Sequence, residues 1–185
     1  MATSDNLKEA FAGESQANRK YLAFAKKAEV DGYPQVAKLF RAAAEAETVH
    51  AHAHFRAMEG IDSTEENLQT AIRGEGFEFQ QMYPKFLAEA QAEGNNTAVF
   101  SFKFALAVEE IHHGLYTQAL NAVKSGSDLP DARIYVCPVC GNTVKDNILF
   151  ISYKHHLFSS LYCVIQFIES NKILIQSLHY FIYGS

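Results

Sequence analysis

One four-residue pattern recurs in this chain and constrains what its helices can do. Glu47-Thr48-Val49-His50 is matched by Glu109-Glu110-Ile111-His112. Residues three apart share a helix face, so each glutamate and histidine can aim at one point. Each copy follows a helical stretch with its own inward glutamate, Glu14 in the first half and Glu75 in the second. Two Glu/His pairs, plus one glutamate from each of two other helices, make the ligand set of a carboxylate-bridged dimetal site in a four-helix bundle.

The surrounding periodicity is helical. Four amphipathic helices are predicted before residue 127. The first runs from about Ser4 to Val30, with the stripe Leu7, Phe11, Glu14, Tyr21, Ala25 and Ala28. The second runs from Pro34 to Glu59, with Gly60 as the residue that stops it. Its stripe is Val36, Phe40, Ala43, Glu47, His50, His54 and Ala57, in alternating steps of four and three. Glu47 and His50 therefore lie on an apolar stripe. The third helix starts near Ser63 or Thr64 and carries Leu68, Ala71, Glu75, Glu78, Met82, Phe86 and Glu89. Pro84 inside it removes a helix hydrogen bond and predicts a kink. The fourth runs from Thr97 to Lys124 and carries Phe102, Ala105, Glu109, His112, Tyr116, Ala119 and Val123.

Five glutamates, at 14, 47, 75, 78 and 109, fall on stripes expected to face one core. Buried carboxylates are costly unless paired or bound to a cation. Carboxylate oxygens with imidazole suit iron or manganese, and the absence of thiolate from the set argues against structural zinc. His52 lies off the stripe, and His54 reads as a histidine at the core edge or behind the ligands. His113, His155 and His156 read as unremarkable.

The halves also repeat outside the tetrads. Thr3-x-x-Asn6-Leu7-x-x-Ala10-x-x-Gly13-Glu14 matches Thr64-x-x-Asn67-Leu68-x-x-Ala71-x-x-Gly74-Glu75 at an offset of 61, whereas the tetrads match at 62. Two copies at so long a period indicate a duplicated helical hairpin with a pseudo-twofold axis rather than a solenoid.

Alanine is frequent up to Ala132 and absent after it. From about Asp146 the chain turns rich in Ile, Phe, Tyr, Leu, Ser and Asn. Three divisions are expected: a helical bundle over 1–126, a partial metal knuckle over 127–144, and a tail over 145–185. In the middle segment, Tyr135-Val136-Cys137-Pro138-Val139-Cys140-Gly141 reads as a strand entering a Cys-x-x-Cys turn. A net charge of −5 argues against nucleic acid or an anionic membrane as partner. Three cysteines do not make a disulfide framework, and no export signal opens the chain, so a reducing, cytoplasmic setting is expected. Glu169 and Lys172 interrupt the apolar run of the tail, which argues against a membrane anchor.

At these residues the chain resembles the rubrerythrins, over about residues 3 to 144. The resemblance rests on Asn-Leu-x-x-Ala-Phe-x-Gly-Glu14-Ser, Ala-Glu-Ala-Glu47-Thr-Val-His50-Ala, Gly-Glu75-x-x-Glu78-x-x-x-Met82-Tyr83-Pro84, Val-Glu109-x-x-His112 and Cys137-Pro-x-Cys140-Gly. It implies an all-α, ferritin-like four-helix bundle with two non-haem iron ions that reduces hydrogen peroxide to water. It implies Glu14, Glu47, Glu75, Glu78, Glu109 and His112 as ligands, with Glu47 and Glu109 bridging. Glu78 and His50 would alternate at one iron, Glu78 on the oxidised metal and His50 on the reduced one. Tyr21 and Tyr83 match the tyrosines of the family's site. Electrons would come from a rubredoxin or similar NAD(P)H-linked donor.

The family also normally ends in a rubredoxin-like iron site built from two Cys-x-x-Cys knuckles. Cys137 and Cys140 make the first, and no second follows; Cys163 stands alone. A four-thiolate iron within one chain is therefore excluded. The half knuckle is left to pair across a dimer, to bind zinc with His155 or His156, or to stay idle. The compositional break is expected to derive from a frameshift or retained intron after about Lys145. The competing readings are a non-catalytic iron-binding or storage protein of the ferritin class, and a bundle that has lost its electron supply.

Between the second and third helices only Gly60 to Ser63 is predicted non-helical. A ferritin-like crossover must return along the bundle, roughly 30 Å at about 3.3 Å per extended residue. Either Asn67 to Gly74 is partly unwound, or two chains exchange hairpins; a homodimer is expected in both cases.

Overall fold

The computed structural model describes residues 2–146, without the side chain of Asp146. The expectations placed on the tail, on His155, His156 and Cys163, and on the run broken by Glu169 and Lys172 lie outside the described residues. Two compact units follow one another, dividing between Ser63 and Thr64.

The first unit is a helical hairpin of α1 (Ala2–Val30) and α2 (Pro34–Ala57). The turn between them closes through Gly32, at φ +83°, with Gly32 N–H donating to Glu29 O and Tyr33 N–H to Ala28 O. Pro34 then opens α2, where its missing N–H costs nothing. The seam between the helices is alanine: Ala25 and Ala28 of α1, and Ala37, Ala44 and Ala51 of α2, are buried. Small side chains let the two backbones approach closely. The stripe that carries Glu47 and His50 lies beside this seam, and both residues are more exposed than the alanines. Asn18 fastens the hairpin at the level of the tetrad. Its side-chain amide donates to Ala44 O at 2.7 Å and to Thr48 Oγ1 at 2.9 Å.

The second unit holds α3 (Thr64–Phe77), a π-helical turn (Glu78–Met82), α4 (Tyr83–Ala92) and α5 (Asn96–Lys124). It also holds an antiparallel hairpin of β1 (Arg133–Val136) and β2 (Thr143–Asp146), in which Val136 faces Thr143. Asn95 caps α5 by accepting from Ala98 N–H at 3.1 Å. The kink expected at Pro84 takes the form of a change of helix type. Tyr83 N–H donates to Glu78 O, a bond of the π kind, and Pro84 falls in the first turn of α4. The missing proline N–H is thereby tolerated. The stretch from Asn67 to Gly74 is helical throughout, so the partly unwound path expected as one alternative is not what the chain adopts.

The duplication is visible in side-chain geometry. In the first unit Tyr21, Phe24 and Phe40 form a triad with ring centroids 6.3 Å (21–24), 6.1 Å (21–40) and 5.6 Å (24–40) apart. In the second, Tyr83, Phe86 and Phe102 form the same triad at 6.4, 6.2 and 5.6 Å. The triads match at an offset of 62, whereas Glu14 and Glu75 match at 61. The second copy therefore carries one residue more than the first, between Glu75 and Tyr83. Glu14 and Tyr21 are seven residues apart, two helical turns, and so share a face. Glu75 and Tyr83 are eight apart and in a plain α-helix would be rotated by about a further 100°. The π turn absorbs the extra residue and brings Tyr83 back into place.

The end of α2 differs from the expectation at Gly60. The left-handed residue is Glu59, at φ +53°. Glu59 N–H donates to Arg56 O and Gly60 N–H to Phe55 O, the Schellman pattern, which places Gly60 one position further on. Gly60 is held by space instead, since a Cβ there would overlap the Phe55 ring. That ring stacks on Phe11 at 4.9 Å and has little freedom to yield. Replacing Gly60 by Ala is expected to destabilise the chain by about 1–3 kcal/mol through overpacking. Glu59→Gly is expected to stabilise it by up to about 1 kcal/mol by relieving the left-handed penalty. Thermal melts of the two variants check both signs.

Candidate metal centre

Each unit brings together one set of donors. Glu14 of α1 joins Glu47 and His50 of α2, and one donor atom from each lies within 4.8 Å of the others. Glu75 of α3 joins Glu109 and His112 of α5 in the same way. The two sets match closely. His50 Nδ1 is 3.0 Å from Glu47 Oε2 and 4.0 Å from Glu14 Oε1. His112 Nδ1 is 2.9 Å from Glu109 Oε2 and 3.8 Å from Glu75 Oε1. In both sets the in-helix spacing of three delivers the Glu/His pair, and the neighbouring helix delivers the second carboxylate.

The sets differ in cover. The His50 side chain is 55% exposed and that of His112 27%. His112 is the more enclosed because the β hairpin reaches α5: its Nε2 lies 2.9 Å from Thr143 Oγ1. A cavity of about 450 Å³ runs alongside, lined in part by Val108, Glu109, His112 and Cys140.

Carboxylates crowd the second set. Glu75 is pushed from its ordinary 4.5 up to about 7, first by burial and then by its hydrogen bond to Glu109 and the Glu109 charge, with His112 pulling the other way. Glu78 stands outside the closest set, but its carboxyl is also raised, by burial and then by Glu109. The Tyr83 phenol is raised by burial and by Glu78, Glu109 and Glu75, which places it in the field of the same carboxylates. Tyr21 packs with Phe24 and Phe40 in the first unit. Cys137 is buried and Cys140 partly so, on a turn where Gly141, at φ +82°, donates to Cys137 O at 2.9 Å. Neither belongs to a cluster of three or more such donors among the described residues.

Sequence reasoning did not find Thr143 or Asn18. Thr143 sits 31 residues beyond His112 on a strand, and no periodicity links the two. Asn18 falls on the α1 stripe, four residues after Glu14 and three before Tyr21, and acts through Ala44 O and Thr48; that position was the one signal that could have found it. His113, read as unremarkable, packs edge-on to Phe79 at 5.3 Å and against Gly76.

Oxygen and imidazole donors without thiolate fit iron or manganese, and a cation would offset the burial and the Glu109 charge that both disfavour an ionised Glu75. The class defined is a helical-hairpin protein that carries metal on glutamate and histidine. The family follows from comparison with known proteins: the rubrerythrin family matches residues 5–120, and the chain belongs to it. Rubrerythrin-2 of Clostridium acetobutylicum is 36% identical, over 78% of this chain and 86% of that protein. Nigerythrin of Nitratidesulfovibrio vulgaris is 37% identical, over 76% and 75%. A solved structure of nigerythrin in its fully reduced, all-ferrous state is 36% identical, covers 80% of this chain and 78% of that one, and has a TM-score of 0.44. Membership brings the expected all-α, ferritin-like class and the iron cofactor, and makes the chain a diiron protein of oxidative-stress defence. No helix among the described residues is long and apolar enough to cross a membrane.

The carboxylate crowding sets a pH dependence for the metal-free chain. A raised folded-state value means that the folded form holds its proton more tightly than the unfolded form. The Glu75 contribution is therefore most favourable at low pH and is lost as pH rises from about 4.5 towards about 7. The melting temperature of chelator-treated protein is expected to fall between pH 5 and pH 8, and Glu75→Gln to flatten that fall. Iron loading is expected to reverse the trend, because ligands must lose protons to bind metal.

Proposed function

We propose that the chain is a peroxidase that reduces hydrogen peroxide to water at a two-iron centre, using electrons from a rubredoxin-type, NAD(P)H-linked donor. The observation that carries this reading is the pair of matched Glu/Glu/His sets on duplicated hairpins. Glu14, Glu47, Glu75, Glu109 and His112 are the proposed constant ligands, with Glu47 and Glu109 bridging. Glu78 and His50 are the proposed alternating ones.

The reaction consumes two protons and two electrons for each peroxide and yields two waters. Iron bound at the two sets would supply the electrons, one from each ion. The chain's own residues manage protons and access. The Tyr83 hydroxyl is kept protonated by burial and then by the surrounding carboxylates, and can donate at Oη. The Glu78 carboxyl, raised by burial and then by Glu109, keeps its proton to higher pH than an exposed glutamate does. The extra residue of the π turn gives Glu78 a setting that the first copy lacks, since Gln16 and Ala17 stand at the matching positions. Cys137 and Cys140 offer two of the four thiolates that a rubredoxin-type iron needs, which favours a separate protein as the donor. Thiols at this turn suit a reducing, cytoplasmic compartment.

The working form is proposed to be a homodimer with exchanged hairpins. Helix α2 is 24 residues long, or about 36 Å, and a crossover must return along it. Six residues, 58 to 63, separate α2 from α3 and reach only about 25 Å when extended.

Two measurements test the reading. Anaerobically purified protein is expected to hold about two irons per chain and to oxidise reduced rubredoxin only when peroxide is added. Iron uptake without peroxide-dependent turnover would favour storage instead. For the exchange, Glu47→Ala and Glu109→Ala chains are co-expressed with different tags, and the mixed dimer is isolated. Exchange rebuilds one intact site, with about half the wild-type iron; without exchange the mixed dimer has none.

A further inference from the structure

We propose that Thr143 is a positioning residue of the metal centre, its hydroxyl holding His112 so that the Nδ1 lone pair faces the metal. The inference rests on the ligand reading above and names a residue outside the helices. A threonine hydroxyl has one hydrogen and can also accept. Thr143 Oγ1 lies 3.2 Å from Gly141 O, and a carbonyl oxygen only accepts, so the hydroxyl hydrogen is directed there. Towards His112, 2.9 Å away, the oxygen is then an acceptor, and the ring must donate from Nε2. A neutral imidazole with its hydrogen on Nε2 carries its lone pair on Nδ1. Nδ1 faces Glu109 and Glu75; in the metal-free chain it donates to Glu109 Oε2 at 2.9 Å, and an ion bound at this set would take the place of that hydrogen while Nε2–H stays on Thr143.

The placement is built rather than incidental. Thr143 is the first residue of β2, and its register is fixed by pairing with Val136. The turn beneath it is fixed by Cys137 N–H donating to Asn142 O at 2.8 Å and by Gly141 N–H donating to Cys137 O. Two consecutive hydrogen bonds thus run from a metal ligand to the backbone of the cysteine turn. His50 shows what the arrangement adds: its ring makes the same Nδ1 contacts and is twice as exposed. A hydrogen-bonded second nitrogen orients a ligating imidazole and makes it a better donor, and losing such a partner typically costs about 10–100-fold in metal affinity.

The test uses the full chain and three variants, Thr143→Val, Thr143→Ala and Thr143→Ser. Affinity for Fe(II) and Zn(II) is measured against a competing chelator, and NMR of the zinc-loaded protein follows the His112 Nε2 hydrogen. Thr143→Val is expected to bind about 10–100-fold more weakly and to lose the slowly exchanging Nε2 hydrogen signal. Thr143→Ala, which fills less space, is expected to behave alike, and Thr143→Ser to restore both readouts. Wild-type affinity and a protected Nε2 hydrogen in Thr143→Val would overturn the proposal. So would Thr143→Ser failing to restore either readout while far-UV circular dichroism shows the helices intact. A wild-type chain that takes up no metal would overturn the ligand reading itself, a result distinct from equal binding by wild type and variant.

Discussion

Carboxylates gathered on packed helices are the constraint on which this architecture depends. Burial, then a hydrogen bond to Glu109 and the Glu109 charge, push Glu75 up to about 7. Helices that bring such groups together need strong reasons to pack where the charges are not. In the first unit an alanine seam supplies one: Ala25, Ala28, Ala37, Ala44 and Ala51 are buried, and Ala25, Ala28 and Ala37 cluster with Phe40. Asn18 adds a directional tie one turn from Glu47. In the second unit the aromatic triad and the β hairpin share the same task. Packing and charge are thus kept on neighbouring faces, so a donor set can be assembled without breaking the hairpin that carries it.

Much of this was legible in the sequence, for physical reasons that differ by element. The helices were readable because their stripes step by three and four, and the gathering of Glu and His donors because Glu-x-x-His spacing maps onto one face. The duplication was readable as a repeat, and its change of offset from 61 to 62 was already present in the residue numbers. The meaning of that change was not, because one extra residue in a helix leaves no compositional mark. Pro84 drew attention to the right place but suggested a bend, whereas the backbone answered with a wider turn.

Other features were hidden because they depend on contacts distant in sequence. Thr143 meets His112 only through the folding of β2 onto α5. Gly60 resembled a helix stop by position, yet its role is steric, set by a Phe55 ring that Phe11 holds in place. Ala25 and Ala28 stood on the expected α1 stripe, but the α2 side of the alanine seam was masked: alanine is abundant on every face of α2, so the heptad spacing of Ala37, Ala44 and Ala51 does not stand out against the larger apolar residues.

The single extra residue within the second copy has a consequence for symmetry. Two hairpins of one origin could in principle differ only in their side chains, and substitution could then restore their equivalence. Here the difference lies in the path of the main chain, at the π turn between Glu75 and Tyr83. No exchange of side chains can make the two halves identical. The inequality lies in chain length, is retained through point mutation and is removable only by inserting or deleting a residue.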